Sequence, residues 1–253
     1  MNAHEILEAM YEGQTLVFGH RGARAYAPMN TLPSFELALK QGAQGIELDV
    51  HRSKDGYPVI CHDFTVDSTT NGTGRVTDMT LAQLKALDAG VRFDPKLAGT
   101  PIPTLDEVFE DVGKRLFVNV EIKSESAETD GVEQETADCI KRHKMEERVI
   151  VSSFNPLALK RFRAILPDVP IGFLYERNSP PQVIQLIAEV HYECYHPHYE
   201  LVDAKLVADT NHAKRYINTW TVNDPAKAAE LRDMGVRGII TDKPDVILAA
   251  LKK

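Results

Sequence analysis

The stretch Gly45-Ile46-Glu47-Leu48-Asp49-Val50 decides the fold of this chain. In a β-strand its apolar side chains point to one face and its two carboxylates point to the other. The apolar face indicates a buried strand, and the acids lie near the carboxyl end of that strand. Such a strand suits a fold that builds its site from the carboxyl ends of several strands.

Similar short runs, apolar or alternating, occur eight times along the chain. They cover residues 16–19, 45–50, 117–122, 149–154, 171–175, 193–197, 217–222 and 238–241. Between most of them, apolar residues recur at helical spacing, as in Leu32, Phe35 and Leu39. Strand followed by helix, repeated eight times, predicts an α/β fold of the TIM (β/α)₈ barrel type.

Helix-start signals support this register, because proline is favoured in the first turn of a helix. They are Thr31 with Pro33, Asn155-Pro156, Asp224-Pro225 and Lys243-Pro244. A doubly wound open sheet has the same alternation of strands and helices. The polar residues favour the barrel, because they cluster at the carboxyl ends of several different strands.

One long segment, from about residue 52 to 104, departs from the repeat. It contains Thr69-Thr70-Asn71-Gly72-Thr73-Gly74 and a helical stripe of Leu81, Leu84 and Leu87. We expect a single domain over residues 1–253, with an insertion at about 64–103 after the second strand. The insertion would form a small cap over the mouth of the site.

The composition of the chain disfavours some classes of binding partner. Its 253 residues carry a formal net charge of -8, which disfavours nucleic acid and anionic membranes as main partners. An anionic substrate would therefore need local positive charge or a metal. The first 14 residues predict an amphipathic helix and neither a signal peptide nor a membrane span, so cytoplasmic residence is expected. Cys61, Cys139 and Cys194 are widely spaced and are expected to be reduced thiols without function.

A hairpin is predicted at Lys54-Asp55-Gly56-Tyr57, because Asp-Gly is a strong two-residue turn signal. Continued back from that turn, the pairing places Asp49 opposite His62. Glu47, Asp49 and His62 then share one strand face, where burial of ionisable groups is costly without a purpose. A solvated hairpin edge is the alternative, and the apolar opposite face of the strand disfavours it.

Glu121 ends the 117–122 run, and Lys123 lies two residues on, hence on the same face. Taken alone, this pair could be a salt bridge at a strand end. Beside Glu47 and Asp49, a third carboxylate would repel the others unless a cation intervened. Ligation by oxygen alone favours a hard divalent ion, so we predict one Mg²⁺ or Ca²⁺ ion.

His20 and Arg21 follow the first strand and precede Gly22, which lets backbone approach a ligand. The Arg21 guanidinium could grip phosphate oxygens in a fork. His20 and His62 could serve as base and acid across a P–O bond. Together with the carboxylates, these groups suit metal-assisted attack on a phosphate ester.

Two other features have more than one interpretation. Trp220 either packs in the core or forms a wall of the substrate pocket, and we predict contact with substrate. His196-Pro197-His198 with Asp242 suggests the zinc pattern of barrel amidohydrolases, but that pattern belongs on the first strand and this one lies near the sixth. Surface or structural positions are expected for His4, His51, His143, His191 and His212.

In combination, these motifs resemble the soluble, bacterial-type glycerophosphodiester phosphodiesterase family. The resemblance runs from His20 to Asp245. It rests on His20-Arg21-Gly22, Asn30-Thr31-Leu32, Gly45-Ile46-Glu47-Leu48-Asp49-Val50, Lys54-Asp55-Gly56, His62-Asp63, Thr70-Asn71-Gly72-Thr73-Gly74, Ile102-Pro103-Thr104-Leu105, Glu121-Ile122-Lys123, Ser152-Ser153-Phe154, Trp220-Thr221-Val222-Asn223 and Gly238-Ile239-Ile240-Thr241-Asp242.

The resemblance implies a TIM barrel with a small inserted cap, and hydrolysis of glycerophosphodiesters to sn-glycerol 3-phosphate and an alcohol. It implies that Glu47, Asp49 and Glu121 hold the metal and that His20 and His62 act as acid and base through a cyclic phosphate. The expected partner is a small-molecule substrate, without nucleic acid or stable membrane insertion. Head group, choice of ion and oligomeric state stay open.

One residue departs from the family pattern: Met29 stands where the family usually has Glu in Pro-Glu-Asn-Thr. We expect that Glu to support the site without ligating the metal, so its loss bears on efficiency more than on reaction class. Two alternatives are a phospholipase D- or C-like enzyme on intact lipid and a non-catalytic phosphate-binding barrel. The lack of a basic amphipathic helix disfavours the first, and the retained histidines and carboxylates disfavour the second.

Overall fold

The computed structural model describes residues 1–252, and its strands join into one sheet that closes on itself. Within that range nine strands are present. They are β1 (Leu16–His20), β2 (Gly45–Arg52), β3 (Pro58–Ile60), β4 (Phe117–Ile122), β5 (Val149–Ser153), β6 (Ile171–Tyr175), β7 (Cys194–Pro197), β8 (Tyr216–Thr219) and β9 (Gly238–Thr241).

The sheet order is β1-β9-β8-β7-β6-β5-β4-β2-β3, and β1 also pairs with β2 in parallel. That extra pairing closes eight parallel strands into a barrel, and β3 adds an antiparallel partner to β2. The predicted TIM barrel is confirmed, and each of the eight predicted runs overlaps one of its strands. The doubly wound alternative fails because an open sheet has no pairing between its first and last strands.

Helices connect the barrel strands and surround them. Within residues 1–252 the α-helices are α1 (Ala3–Tyr11), α2 (Leu32–Lys40), α3 (Leu81–Lys85), α4 (Leu105–Val108), α5 (Val132–His143), α6 (Pro156–Ile165), α7 (Pro181–Ile187), α8 (Ala204–His212), α9 (Pro225–Met234) and α10 (Pro244–Leu251). The predicted proline signals mark the starts of α2, α6, α9 and α10. Asn155 and Asp224 accept backbone N–H groups in the first turns of α6 and α9.

The strands are buried on both faces, which explains their apolar composition. Ile46, Leu48 and Val50 of β2 are fully buried against the surrounding helices, as the alternating pattern predicts. On the amino side of the barrel, α1 packs against residues at the starts of several strands, including Leu16, Phe117 and Tyr216. The predicted amphipathic helix therefore covers that end, and the opposite end remains for the site. No helix within residues 1–252 combines the length and apolar character that crossing a membrane requires.

The β2–β3 hairpin differs by one residue from the predicted register. The Ser53 N–H donates to the Tyr57 carbonyl oxygen at 2.9 Å, so three residues form the loop. The Cys61 N–H donates to the Asp49 carbonyl oxygen at 3.1 Å, so Asp49 faces Cys61. The prediction that Asp49 lies opposite His62 was wrong, and His62 follows the end of β3.

Contacts of Asp55 explain the wider loop. The Asp55 carboxylate accepts hydrogen bonds from the Ser53 hydroxyl and from the Leu81 backbone N–H, both at 2.8 Å. Gly56 then adopts a φ of +90°, which suits a three-residue hairpin loop. The contact to Leu81 comes from α3, so the turn residues alone could not reveal it.

The segment between β2 and α4 has a small core of its own. This core contains Val59, Cys61, Val66, Val76, Leu84, Ala89 and Ile102, with Met79, Leu81 and Leu87 partly buried against it. The predicted leucine stripe therefore packs inside the segment, with Leu84 fully buried. Short 3₁₀ helices at Val76–Asp78 and Pro95–Leu97 complete it.

Candidate active site

A pocket of about 490 Å³ opens at the carboxyl ends of the barrel strands. The predicted residues His20, Arg21, Glu47, His62, Glu121, Lys123 and Trp220 all line it. Asp49 lies directly beneath them, with its side chain 1 % exposed. The structure thus brings together every residue that the sequence singled out for the site, although the hairpin register that led to His62 was wrong.

Three buried carboxylates form the floor of the site. β2 supplies Glu47 and Asp49, and β4 supplies Glu121, which is paired with Asp49 in the parallel register. One oxygen from each carboxylate lies within 4.8 Å of the other two. Burial raises the pKa of Glu47 well above its usual value, and the nearby Asp49 and Glu121 add to the shift. Burial also raises the pKa of Glu121, to about 7.

Cations compensate the Asp49 carboxylate. Lys123 Nζ lies 3.1 Å from Asp49 Oδ1 and 2.6 Å from Glu121 Oε1, and Arg21 Nε lies 3.2 Å from Asp49 Oδ2. Burial acts to raise the pKa of Asp49, but the charges of Lys123 and Arg21 outweigh it and hold that pKa well below its usual range. The Asn30 side-chain amide donates to Asp49 Oδ2 at 2.8 Å.

The floor of the site fits a hard divalent cation. The three carboxylates offer oxygen donors. Among the polar groups of residues 1–252, the Glu47 carboxylate meets the Arg21 backbone N–H at 3.1 Å and His20 Nε2 at 3.9 Å. A positive ion beside Glu47 and Glu121 would relieve the repulsion and the burial cost that raise their pKa values. Oxygen ligands favour Mg²⁺ or Ca²⁺ over zinc.

Each pocket histidine has its Nδ1 atom on a carboxylate. His20 Nδ1 lies 2.7 Å from Asp242 Oδ1, and His62 Nδ1 lies 2.6 Å from Asp63 Oδ1. Burial lowers the pKa of His20 to about 4 and also lowers the pKa of His62. A neutral ring that donates from Nδ1 keeps Nε2 free to accept a proton. The two imidazoles are therefore held in the same way on different strand ends.

The carboxylates behind the histidines are themselves fixed. The Asn223 amide donates to Asp242 Oδ2 at 2.7 Å, and Arg24 Nε lies 3.3 Å from Asp242 Oδ1. On the other side, the Ser68 hydroxyl donates to Asp63. These contacts restrict the rotation of both imidazoles, which is what a proton-transfer role requires.

The loop after β1 depends on glycine at one position. Gly22 has a φ of +83°, and a Cβ atom there would lie 2.3 Å from Ser34 Oγ. The Ser34 hydroxyl donates to the Arg21 carbonyl oxygen at 3.0 Å, which joins this loop to α2. On the outer side, Met29 Sδ lies 3.4 Å from an Arg21 guanidinium nitrogen, where the expected family residue would present a carboxylate.

Trp220 both packs against the barrel and forms part of the pocket wall. Its indole N–H donates to the His196 carbonyl oxygen at 2.9 Å, which anchors the ring to the barrel. The half-buried ring also lines the pocket and meets Phe154 edge-to-face, with ring centroids 5.6 Å apart.

Comparison with known proteins assigns the family. Residues 20–246 match the model of the glycerophosphoryl diester phosphodiesterase family. The chain belongs to this family. A glycerophosphodiester phosphodiesterase of Caldanaerobacter subterraneus subsp. tengcongensis is 42% identical over 242 residues, covering 95% of this chain and 99% of the relative. One from Bacillus altitudinis is 35% identical, covering 91% and 96% of the two chains.

Solved structures agree with this assignment. A phosphodiesterase of Oleispira antarctica in complex with the product sn-glycerol-3-phosphate superposes with a TM-score of 0.84 and 31% identity, covering 96% of this chain and 99% of its own. A glycerophosphodiester phosphodiesterase of Agrobacterium tumefaciens gives a TM-score of 0.82 at 30% identity, covering 93% and 100%. The chain is a glycerophosphodiester phosphodiesterase, a phosphoric diester hydrolase.

In this phosphodiesterase, the three residues of the possible zinc pattern, His196, His198 and Asp242, do not form one metal site. His196 is fully buried and bonds to the Asn218 amide at 2.9 Å, His198 packs on Trp220, and Asp242 binds His20. Within residues 1–252, the only other cluster of potential ligands joins Asp106 to a cysteine and a histidine of α5.

That second cluster is an ion pair between helices on the outside of the barrel. Asp106 of α4 accepts from Arg142 Nε at 2.8 Å and lies 2.7 Å from His143 Nε2. The predicted structural role of His143 fits this contact.

Several residues that shape the phosphodiesterase site had no predicted role in it. Asp242, Asp63 and Asn30 appeared in the family motifs, but their contacts to His20, His62 and Asp49 were not foreseen. The signal for Asp63 was its position next to His62, and the signal for Asn30 was its place in the family motif beside Met29. His20 and Asp242 are separated by 222 positions in the chain and meet only because β1 pairs with β9.

Proposed function

We propose that this chain hydrolyses glycerophosphodiesters to sn-glycerol 3-phosphate and an alcohol by acid–base catalysis with His20 and His62, in a site that holds one divalent cation. The observation that supports it best is the pair of imidazoles on one pocket, each with Nδ1 on a carboxylate and Nε2 left for proton transfer. The product bound to the Oleispira relative is the one expected here.

The metal would be held by Glu47, Asp49 and Glu121, as Mg²⁺ or Ca²⁺. When bound, it would supply positive charge to the phosphate oxygens and to the buried carboxylates. Support comes from the oxygen-only donor set and from the raised pKa values of Glu47 and Glu121. Asp49 would keep its negative charge throughout, because Lys123 and Arg21 both face it.

Arg21 and Lys123 would bind the phosphodiester. Both line the pocket, and both are held in place by Asp49. Arg21 presents a planar fork that matches two phosphate oxygens, whereas Lys123 contributes a point charge. Their charge would offset the negative charge that builds up on phosphorus-bound oxygen as the reaction proceeds.

The proton transfers would run between the two histidines. One imidazole takes the proton from the glycerol hydroxyl next to the ester, and that oxygen forms a bond to phosphorus. The P–O bond to the departing alcohol breaks, and the second imidazole, which enters the step as an imidazolium with a proton on Nε2, gives that oxygen the proton. The resulting cyclic phosphate is opened by water with the histidine roles reversed, which leaves sn-glycerol 3-phosphate and restores both protonation states.

We further propose that the insertion, residues 64–103, is a cap at the mouth of this site within a single domain of 253 residues. Ser68 of the insertion contacts Asp63 behind His62. Arg75 of the insertion pairs with Glu125 of the loop after β4, at 2.7 Å. These contacts tie the cap to both sides of the pocket entrance, so its shape would help to select the alcohol.

Cytoplasmic residence is part of the same proposal. Cys61, Cys139 and Cys194 are free and buried, which is typical of proteins from a reducing compartment. Cell fractionation with an antibody to the chain tests it, and recovery outside the cytoplasmic fraction would contradict it.

The step that forms the cyclic phosphate can be tested with modified substrates. We expect no release of the alcohol from a glycerophosphodiester in which the neighbouring hydroxyl is methylated, because the attacking oxygen has lost its proton. Methylation of the terminal hydroxyl is the control and should leave turnover measurable. Equal turnover of both methylated substrates would contradict the cyclic route.

A further inference from the structure

The two halves of the pocket carry different chemistry. β1, β2 and β4 are adjacent in the barrel and supply His20, the carboxylates and Lys123. Other lining residues follow the opposite arc, β5 to β8, among them Phe154 after β5, Glu176 after β6 and Trp220 after β8. When the phosphate of a substrate lies near the histidines, one end of the substrate therefore contacts the residues that follow β5 to β8.

The aromatic pair of this arc is held firmly. Trp220 is fixed by its bond to the His196 carbonyl oxygen and by His198, whose ring lies 5.2 Å away and nearly perpendicular. Phe154 meets Trp220 at 85°. Both rings are half-buried and line the pocket, so they offer aromatic surface to a bound group. Aromatic surface attracts cations as well as apolar groups.

Glu176 adds a negative charge to the same arc. Within residues 1–252, its carboxylate takes part in no ion pair. Its hydrogen bonds are backbone ones to Ser179, in which the Glu176 N–H donates to Ser179 Oγ at 3.2 Å and the Glu176 carbonyl oxygen accepts from the Ser179 N–H at 3.0 Å. The other charged residues of the pocket wall differ in this respect. Arg21 and Lys123 face Asp49, and Arg24 faces Asp242.

We propose that Phe154, Glu176 and Trp220 form a subsite for a cationic head group, and that the preferred substrates are glycerophosphodiesters of an ammonium or quaternary ammonium alcohol. This inference rests on the proposed hydrolysis at His20 and His62. The charge pattern then matches a zwitterionic substrate. Its phosphate lies at Arg21 and Lys123, and its cation lies between the Glu176 carboxylate and the aromatic rings.

Glu176 is the residue that distinguishes this subsite from a purely apolar wall. The aromatic pair alone would accept the carbon atoms of glycerol or of a neutral alcohol equally well. A neutral polyol head group would leave the Glu176 charge without a partner, whereas an ammonium group would pair with it. The selectivity should therefore depend on charge more than on shape.

The test compares two esters of nearly equal shape, glycerophosphocholine and the 3,3-dimethylbutanol ester, in which carbon replaces the ammonium nitrogen. We expect the unmodified enzyme to favour the choline ester about tenfold in kcat/KM, mainly through KM, because a cation over aromatic faces and near a carboxylate is worth about this much. Glu176→Gln should abolish the preference by raising KM for the choline ester about tenfold.

Glu128→Gln is the matched control. Glu128 lies on the loop after β4 at the same end of the barrel, is exposed and does not line the pocket. It removes the same charge from the chain and should keep the full preference. Equal kcat/KM for the two esters in the unmodified enzyme would overturn the inference, and so would an unchanged preference in Glu176→Gln.

A binding measurement separates this inference from the proposed function. Trp220 is the single tryptophan of the chain, so its fluorescence reports on the subsite directly. We expect choline to change that fluorescence with saturation, and Glu176→Gln to weaken the response about tenfold. If neither ester is hydrolysed, the proposed function fails, and the choline titration still decides the inference. No response to choline, or the same response to 3,3-dimethylbutanol, would overturn it.

Discussion

At the scale of single residues, His20 and His62 differ from the other histidines of the chain by what holds them. Each has Nδ1 on an aspartate and lines the pocket, whereas His196 bonds to an amide inside the barrel and His143 joins two outer helices. Among the histidines of residues 1–252, these two line the pocket, as the proposed proton transfers require. This contrast leads to two predictions.

His20→Ala and His62→Ala should each reduce kcat by about 10²- to 10⁴-fold, because each removes one positioned proton transfer. Thermal unfolding should change little, since neither ring is part of the main apolar clusters. Release of glycerol 3-phosphate measures the effect, and His212→Ala on the exposed side of α8 is the control. A kcat close to normal in either variant would remove that histidine from the mechanism.

Asp242→Asn should reduce kcat by about 10²- to 10⁴-fold while KM changes little, because the amide can stabilise the wrong imidazole tautomer of His20. Asp242 acts through His20, so the double variant with His20→Ala should be no slower than His20→Ala alone. Steady-state kinetics of the three variants measure this. Additive losses in the double variant would show that Asp242 acts independently of His20.

At the scale of elements, the loop after β1 is fixed by its packing on α2. Gly13→Ala and Gly22→Ala form a matched pair, since both glycines have positive φ, +76° and +83°. A Cβ at Gly13 meets nothing within 4 Å, whereas a Cβ at Gly22 would lie 2.6 Å from the Ser34 carbonyl carbon.

We expect Gly13→Ala to cost about 1 kcal/mol of unfolding free energy for the backbone conformation alone. Gly22→Ala should cost about 1–3 kcal/mol more, because backbone must shift. It should also reduce activity, since Arg21 and His20 precede it. Urea denaturation and the product assay measure these effects. Equal stability of the two variants would show that the contact with Ser34 does not constrain the loop.

The elements also show how far the sequence could predict this structure. Apolar runs and helix-start prolines were enough to predict the eight strand–helix units of the barrel, because burial and first-turn geometry depend on neighbouring residues in the chain. The hairpin register failed because Asp55 bonds to Leu81, which is distant in sequence. The contact of His20 with Asp242 depends on barrel closure, so no local pattern could predict it.

At the scale of the whole molecule, the acidic floor links metal content to stability. Burial raises the pKa of Glu121 from 4.5 to about 7, so the metal-free folded state binds more protons than the unfolded chain between these values. The contribution of Glu121 to the stability of the chelated protein should therefore fall as the pH rises from about 4.5 through 7. Glu121→Gln should remove this contribution, so the slope of stability against pH should become more positive than in the unmodified protein. Thermal unfolding against pH measures it, and a slope unchanged in Glu121→Gln would contradict the assignment.

The most direct test of the central claim is release of sn-glycerol 3-phosphate from glycerophosphocholine by the chelated protein, with Mg²⁺ or Ca²⁺ added back. We predict no release after chelation, recovery with one of the two ions, and little recovery in Glu47→Gln, which keeps the size of the side chain but removes its charge. Full activity after chelation, or normal recovery in Glu47→Gln, would contradict a metal site built from Glu47, Asp49 and Glu121.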